Sequence, residues 1–420
     1  MRSGNLKRYG VTTAFLVICL TVSLCPALAQ EWTAQTSGST NLLNGVWFTD
    51  SLRGFTVGNA GTLLATSDGG ATWSPLVLTT DDLLDVAFLD DSIGLIVGDN
   101  GTILRTVNGG LNWAPVSSGT TNNLAGVAFG ENGLAYAAGR DGTIVRSADT
   151  GASWTVAETG IERYRAVAAA GRNAWAVGDG GVIRATRDSG TNWSFLGGGT
   201  VEDLHAAWFV SATEGWVAGQ NSTLLYTDDG GATWVPRAGA IGVGLNAIFF
   251  GNPELGWAGG ALGNAFRSET GGLAWVAEPT PTADELNGMH FADAFHGWAV
   301  GDNGTVLSRH VPSALLLMTA TGLRWTPEPA GTAFDVVLGD IETLRRLAGD
   351  YTAATDRCLA DDLADTALEF QPEPTSGQGY WFLVRIDDPT ADPGTYDSGS
   401  FLQGPSRDRG IADSGVACPP

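Results

Sequence analysis

The stretch GFTVGNAGTLLATSDGGATW, from Gly54 to Trp73, combines two apolar strands with two turns. Glycine and asparagine after Val57 supply the positive φ that a tight turn needs, so the pattern predicts a β-hairpin. In the second turn, the Asp68 carboxylate can accept hydrogen bonds from nearby backbone N–H groups. Trp73 then adds a large apolar side chain. Because one such hairpin cannot bury its own face, the stretch requires similar neighbours.

Those neighbours are present as repeats of the two turns. The box Ser/Thr-x-Asp-x-Gly-x-x-Trp recurs so that its tryptophans are separated by 39 to 41 residues. The box tryptophans are Trp73, Trp113, Trp154, Trp193, Trp234 and Trp275. The structural carboxylate or amide of the box is expected at Asp68, Asn108, Asp149, Asp188 and Asp229, whereas the last copy has Thr270 there. The glycine hairpin occurs at Gly58, Gly98, Gly139, Gly178, Gly219, Gly260 and Gly301.

The seventh hairpin, Gly297–Arg309, has no box after it, whereas Trp32 has no hairpin before it. We therefore predict that Trp32–Thr36 is the outer strand of the seventh sheet and that it closes a ring. The fold class is all-β, a seven-bladed β-propeller with four strands per blade, followed by a small β-sandwich.

Residues 1–29 have the form of a secretory signal peptide. Arg2, Lys7 and Arg8 precede an apolar core from Val11 to Leu24, and Ala27-Leu28-Ala29 fits a small-x-small cleavage site. The apolar run is short for a membrane span, and no other stretch approaches that length. We expect a secreted or periplasmic protein with no membrane span after signal cleavage.

The composition is acidic, with 22 basic and 45 acidic residues and a formal net charge of −23. Such a surface repels nucleic acid and anionic lipid. Calcium capture would need clustered oxygens on one loop, and the sequence has no Asp-x-Asp-x-Asp-Gly loop. His290 and His296 should point apart, so we interpret His290 as a packing residue. No metal or other cofactor is expected.

Residues 30–312 form the predicted propeller, and residues 313–420 form a second domain in which the repeat stops. Three stretches there alternate apolar and polar residues as sandwich strands do: Gly322–Pro327, Ala333–Gly339 and Tyr380–Ile386. They resemble a fibronectin type III domain. The mature chain has two cysteines, Cys358 and Cys418, for which we expect a disulfide; free reactive thiols are the alternative.

Over Gln30 to Pro312, the tandem repeat resembles the BNR/Asp-box propellers and, more closely, the Ycf48/Hcf136-like photosystem II assembly factors. The resemblance implies a non-catalytic scaffold that handles reaction-centre subunits. A role in photosynthesis is therefore implied by the resemblance alone. The resemblance also implies an arginine-bearing ligand surface. No motif in this sequence matches that surface, so the resemblance assigns no residue of this chain to it.

Other Asp-box propellers are sialidases, which use three arginines, a Tyr–Glu nucleophile pair and an acidic general acid. The sequence shows none of these and no other catalytic motif. We therefore expect an exported, non-enzymatic protein-interaction scaffold with a protein partner. The alternative is a carbohydrate-binding protein or a sialidase-like glycoside hydrolase, so a glycan ligand stays open.

A partner is expected at the mouth of the central tunnel, where inner strands begin and hairpins turn. Arg163, Arg165 and His205 fall on adjacent blades and predict a local basic spot. The candidate partner-binding residues are Asn44, Arg140, Arg163, Arg165, His205, Asn246, Asn287 and Asp302. The alternative interpretation is that strand starts are solvated and that turns favour asparagine and aspartate.

Overall fold

The computed structural model describes residues 32–237, 239, 241–293 and 296–310, and the strand residues 316–319, 322–325, 333–340, 355–363, 367–368 and 380–387. Residues 32–310 form seven four-stranded antiparallel sheets. The predicted seven-bladed propeller is therefore confirmed. Among the described residues, no helix is long and apolar enough to cross a membrane. The predicted signal peptide lies outside them.

Blades 1 to 3 contain β2 (Leu43–Phe48), β3 (Gly54–Gly58), β4 (Thr62–Thr66) and β5 (Ser74–Pro75); β6 (Leu83–Phe88), β7 (Gly94–Gly98), β8 (Ile103–Thr106) and β9 (Ala114–Pro115); and β10 (Leu124–Phe129), β11 (Ala135–Gly139), β12 (Ile144–Ser147) and β13 (Thr155–Glu158). Blades 4 to 6 contain β14 (Tyr164–Ala170), β15 (Asn173–Gly178), β16 (Val182–Thr186) and β17 (Ser194–Gly197); β18 (Leu204–Phe209), β19 (Gly215–Gly219), β20 (Leu224–Thr227) and β21 (Val235–Pro236); and β22 (Leu245–Phe250), β23 (Gly256–Gly260), β24 (Ala265–Ser268) and β25 (Val276–Glu278). Blade 7 contains β26 (Leu286–Phe291), β27 (His296–Gly301), β28 (Val306–His310) and β1 (Trp32–Gln35). Four hairpin turns are short 3-10 helices: Asp99–Gly101, Asp179–Gly181, Ala261–Gly263 and Asp302–Gly304.

The core lies between the blades, where aromatic side chains of adjacent sheets stack. The Phe48 ring lies parallel to Trp298 with 3.4 Å between centroids, and Trp175 stacks on Phe209 at 3.5 Å. Gly54 faces this layer, and a Cβ atom there would overlap the Phe48 ring. The glycine that begins the second strand is therefore required by a close approach and not by a turn.

The box closes the turn between the third and fourth strands of blades 1 to 6, as blade 3 shows. The Ser147 hydroxyl accepts the Gly151 N–H at 2.9 Å and donates to Asp149, which accepts the Ser153 N–H at 2.8 Å and its hydroxyl at 2.6 Å. These hydrogen bonds lower the pKa of Asp149 to about 2. In the degenerate copy, the Thr270 hydroxyl accepts the backbone N–H of Ala274 instead.

Blade 7 is closed by the N-terminal strand, as predicted. β1 pairs antiparallel with β28, with Trp32 opposite Arg309; the strand ends at Gln35, one residue before the predicted end. Trp32 Nε1 donates to Glu278 Oε2 at 3.0 Å, and Arg309 Nη2 donates to Glu278 Oε1 at 3.0 Å. Arg309 is 1% exposed, so the carboxylate that accepts the hydrogen bond from Trp32 is also held by a buried ion pair between blades 6 and 7.

In the C-terminal region, β29 (Leu316–Thr319), β30 (Gly322–Trp325) and β33 (Ala367–Leu368) form one sheet, and β31 (Ala333–Asp340), β32 (Thr355–Leu363) and β34 (Tyr380–Asp387) form another. The three predicted stretches overlap β30, β31 and β34. The fibronectin type III-like packing depends on residues outside the described part of the chain, and so does the Cys358–Cys418 disulfide.

Candidate functional site

The inner strands of the seven blades enclose a central channel with a volume of about 260 Å³. One end opens on the hairpin face, which consists of the glycine-hairpin turns and the loops that lead into the inner strands. The other end opens on the box face, which carries the Asp-box turns. Asparagine, arginine and histidine side chains line the hairpin end, whereas the box end is lined by Trp47, Phe129 and Trp208. The channel is therefore polar at one mouth and aromatic at the other.

Five of the eight predicted binding residues line this channel: Asn44, Arg165, His205, Asn246 and Asn287. The other three lie outside the lining. The Arg163 side chain is 47% exposed, Arg140 is exposed in its turn, and Asp302 accepts a hydrogen bond from Asn287.

The asparagines at the mouth connect neighbouring blades. Asn44 Nδ2 donates to the Leu83 carbonyl of blade 2 at 2.8 Å. Asn246 and Asn287 repeat this contact, at 3.2 Å each, to Leu286 of blade 7 and to Leu43 of blade 1. Sequence reasoning offered only ligand contact or solvation for these residues. Their geometry shows that they hold the inner strands together and make the mouth rigid.

The predicted basic spot is not an uncompensated positive charge. Arg165 Nε pairs with Asp179, and its Nη2 lies 3.4 Å from Asp203. Arg163 lies 4.0 Å from Asp179. The two carboxylates come from the hairpin turn and from the loop into the next blade, so this charge compensation depends on contacts between elements and not on the spacing along one strand.

His205 is held by blade 6, since its Nδ1 lies 2.8 Å from Asn246 Oδ1. Its Nε2 is buried and has no hydrogen-bond partner among the described residues. His205 lines the channel, but this nitrogen faces into the channel wall and is an unpaired buried polar atom.

Sequence reasoning missed Asp85, a carboxylate in the channel wall. Its Oδ1 accepts the Val86 N–H at 2.8 Å, and its Oδ2 accepts the Val127 N–H of blade 3 at 2.9 Å. Burial raises the pKa of Asp85 to about 7. The signal was available: the other six inner strands have glycine or alanine at this position. One acidic residue among them indicates a local role.

The two histidines near the end of the propeller have separate partners. His290 is buried, and its Nδ1 accepts the Phe48 N–H of blade 1 at 3.3 Å; burial lowers its pKa to about 3. His296 Nδ1 lies 2.9 Å from both carboxylate oxygens of Asp293. In the described part of the chain, no group of three or more His, Cys, Asp or Glu side chains could hold a metal ion.

The structure contains a tyrosine–glutamate pair that sequence spacing did not reveal. Tyr226 Oη donates to Glu214 Oε1 at 2.8 Å, and the Arg237 guanidinium lies 3.4 Å from the centre of the Tyr226 ring. Burial and Glu214 raise the pKa of Tyr226 to about 12. A phenol held in its protonated form is a weak nucleophile, so this pair does not favour glycoside hydrolysis.

The sequence of blades 2 to 4 matches a known family model. The model described as Photosynthesis system II assembly factor YCF48 matches residues 75–155 and 111–204. No curated protein matches the sequence.

Solved structures are similar over the propeller. YCF48 bound to D1 peptide is 23% identical, with a TM-score of 0.57, and the match covers 67% of this chain and 97% of that one. The propeller resembles that of Ycf48. YCF48 from Cyanidioschyzon merolae is 21% identical, with a TM-score of 0.56, over 67% of this chain and 98% of its own. The WD40 propeller of Doa1 reaches the same TM-score of 0.57 at 11% identity, over 66% of this chain and 96% of its own. Because an unrelated sequence superposes equally well, these likenesses describe the fold.

Proposed function

We propose that this chain is an exported, non-catalytic protein-interaction scaffold whose partner contacts the hairpin face at the channel mouth. The observation that carries the proposal is the match to the YCF48 family model together with a similar propeller solved with a peptide bound. A protein segment is therefore the ligand class that the comparisons favour.

The geometry supports this proposal because the mouth is preorganised. Asn44, Asn246 and Asn287 fix adjacent inner strands, and Arg165 is fixed by carboxylates on two blades. A rigid surface loses little conformational freedom when it binds, so more of the contact energy appears as affinity.

Export and domain organisation complete the proposal. Residues 1–29 have the charged, apolar and small-residue regions of a signal peptide, which supports a secreted or periplasmic location. Residues 313–420 then act as a spacer or as a second contact surface beside the propeller of residues 30–312.

The test is capture of a partner by immobilised mature protein from the envelope and medium of the exporting cell. Ala125 lines the mouth, so Ala125→Trp should block it whatever the charge of the partner. Ala71→Trp is the matched control, because Ala71 is exposed in a box turn on the opposite face. We expect Ala125→Trp to lose a protein that wild type and Ala71→Trp retain. Failure to capture any protein, or equal capture by both variants, would contradict the proposal.

A further inference from the structure

Leu262 occupies a position that suits leucine poorly. It lies at the centre of the blade 6 hairpin turn with φ of 58°, in the left-handed region, and its side chain is 72% exposed. Left-handed backbone is unfavourable for a bulky side chain, and exposure adds no compensating burial. The same turn position in the other blades is held by Ala60, Asn100, Asp141, Gly180, Asn221 and Asn303. No other blade has a large apolar residue there.

In three blades, the asparagine at this position makes a contact that blade 6 has lost. Its Nδ2 donates to a carboxylate of the loop that leads into the same blade. The pairs are Asn100 with Asp81, Asn221 with Glu202 and Asn303 with Asp284. In blade 6 the counterpart of that carboxylate is Val243, which is partly buried. Both polar partners are therefore replaced by apolar residues, and the turn ends in an exposed apolar tip.

The surroundings of this tip are acidic. Thr280 Oγ1 donates to the Gly263 carbonyl at 2.6 Å, so the loop that contains Asp284 and Glu285 packs on the blade 6 turn. Over the described part of the hairpin face, eleven acidic residues compare with three arginines. The acidic residues are Asp81, Asp82, Asp99, Asp141, Glu162, Asp179, Glu202, Asp203, Asp284, Glu285 and Asp302, and the arginines are Arg140, Arg163 and Arg165. Val201, beside Glu202 on the loop into blade 5, is 83% exposed.

We propose that Leu262 is the apolar anchor of a docking site for an extended, cationic segment of the protein partner. The charge of the face selects a cationic segment, and the exposed leucine selects one that carries an apolar side chain. The inference rests on the proposed function. It departs from the arginine-bearing ligand surface implied by the resemblance, because the two arginines nearest the mouth face Asp179 and Asp203. The box face is also acidic and carries the exposed Leu273, so the features that distinguish this site are the left-handed backbone of Leu262 and the missing asparagine–carboxylate contact.

The first test is thermal stability. Leu262→Asn restores a residue that tolerates the left-handed conformation and should raise the Tm by about 1–3 °C. Leu273→Asn is the matched control, since Leu273 is 68% exposed on the box face of the same blade and has no positive φ. A lower Tm for Leu262→Asn would show that the chain itself covers the leucine, and would overturn the proposal.

The second test is binding of three fluorescein-labelled nonapeptides, measured by fluorescence anisotropy. We expect an alternating Lys–Leu peptide to bind, and Leu262→Asn to weaken it about tenfold while Leu273→Asn does not. A Lys–Ser peptide should bind more weakly, and a Glu–Leu peptide should not bind. Absence of Lys–Leu binding, equal binding by the two variants, or binding of the Glu–Leu peptide would overturn the proposal. If the envelope partner is captured equally by wild type and Leu262→Asn, the scaffold function stands and this anchor fails.

Discussion

Blade 3 and blade 7 reach the same four-stranded form by different chemistry. Blade 3 closes through its own box, in which Ser147, Asp149 and Ser153 bond within six residues of one another. Blade 7 closes through Trp32, Glu278 and Arg309, which come from opposite ends of the propeller. A box turn can form as soon as its segment is made, whereas the closing contacts need the whole ring. The comparison teaches that local turns define each blade, while one buried cluster holds the ring shut.

The largest effect is expected at the closing cluster. Arg309→Met keeps the approximate volume but removes the principal partner of the buried Glu278, so we expect a loss of about 3–5 kcal/mol in the free energy of unfolding. Urea denaturation at pH 7 measures this loss. The double variant Arg309→Met, Glu278→Met should recover part of it, because the buried carboxylate is then removed, while Arg267, which also pairs with Glu278 at 3.3 Å, keeps Glu269 as an ion-pair partner. A double variant no more stable than the single one would show that packing, and not charge pairing, closes the ring.

A second expected difference concerns how side chains bridge the channel wall. At the closing junction, His290 accepts the Phe48 N–H, and its pKa of about 3 keeps it neutral near pH 7. At the interior junction of blades 2 and 3, Asp85 accepts the Val127 N–H with a pKa of about 7. The interior junction should therefore respond to pH in the neutral range, and the closing junction should not.

The sign follows from the raised pKa of Asp85. A carboxyl group that binds its proton more tightly when folded contributes stability that is complete below about pH 4 and is lost as pH rises through about 7. For Asp85 this amounts to about 2–3 kcal/mol between pH 5 and pH 8. We expect Asp85→Asn to remove that part of the pH dependence, measured by urea denaturation at both values. If Asp85→Asn leaves the difference in unfolding free energy between pH 5 and pH 8 unchanged, the pH dependence does not come from Asp85.

The same comparison explains what could be predicted from the sequence. The box, the hairpin and the unpaired Trp32 determined the blade number and the closure, because each is a local pattern repeated at a constant interval. The contacts at the channel mouth were harder to predict from the sequence. Asn44 and Arg165 were found by position, but Leu83 and Asp203, which they also contact, belong to the next blade, and the spacing within one strand does not predict the register between blades. Glu278 and Arg309 were missed for the same reason, since they lie on the outer part of blade 6 and on blade 7, and the Trp32 contact to Glu278 forms only when the ring closes. Asp85 and Leu262 could be singled out from the sequence, because each differs in residue type from the residues at the same position of the other repeats.

The smallest expected effect is at the box itself. Asp149→Ala removes the acceptor for Ser153 but leaves the Ser147 hydroxyl on Gly151, so we expect a loss of about 1 kcal/mol. The degenerate box of blade 6 provides the reverse experiment. Thr270→Asp would restore two acceptor oxygens beside Ala274, although Glu269 next to it repels the new charge. We expect a gain of a few tenths of a kcal/mol that increases with salt, measured as Tm at two ionic strengths. A loss of stability in high salt would mean that threonine already satisfies this turn, and that the carboxylate is dispensable wherever a hydroxyl can take its place.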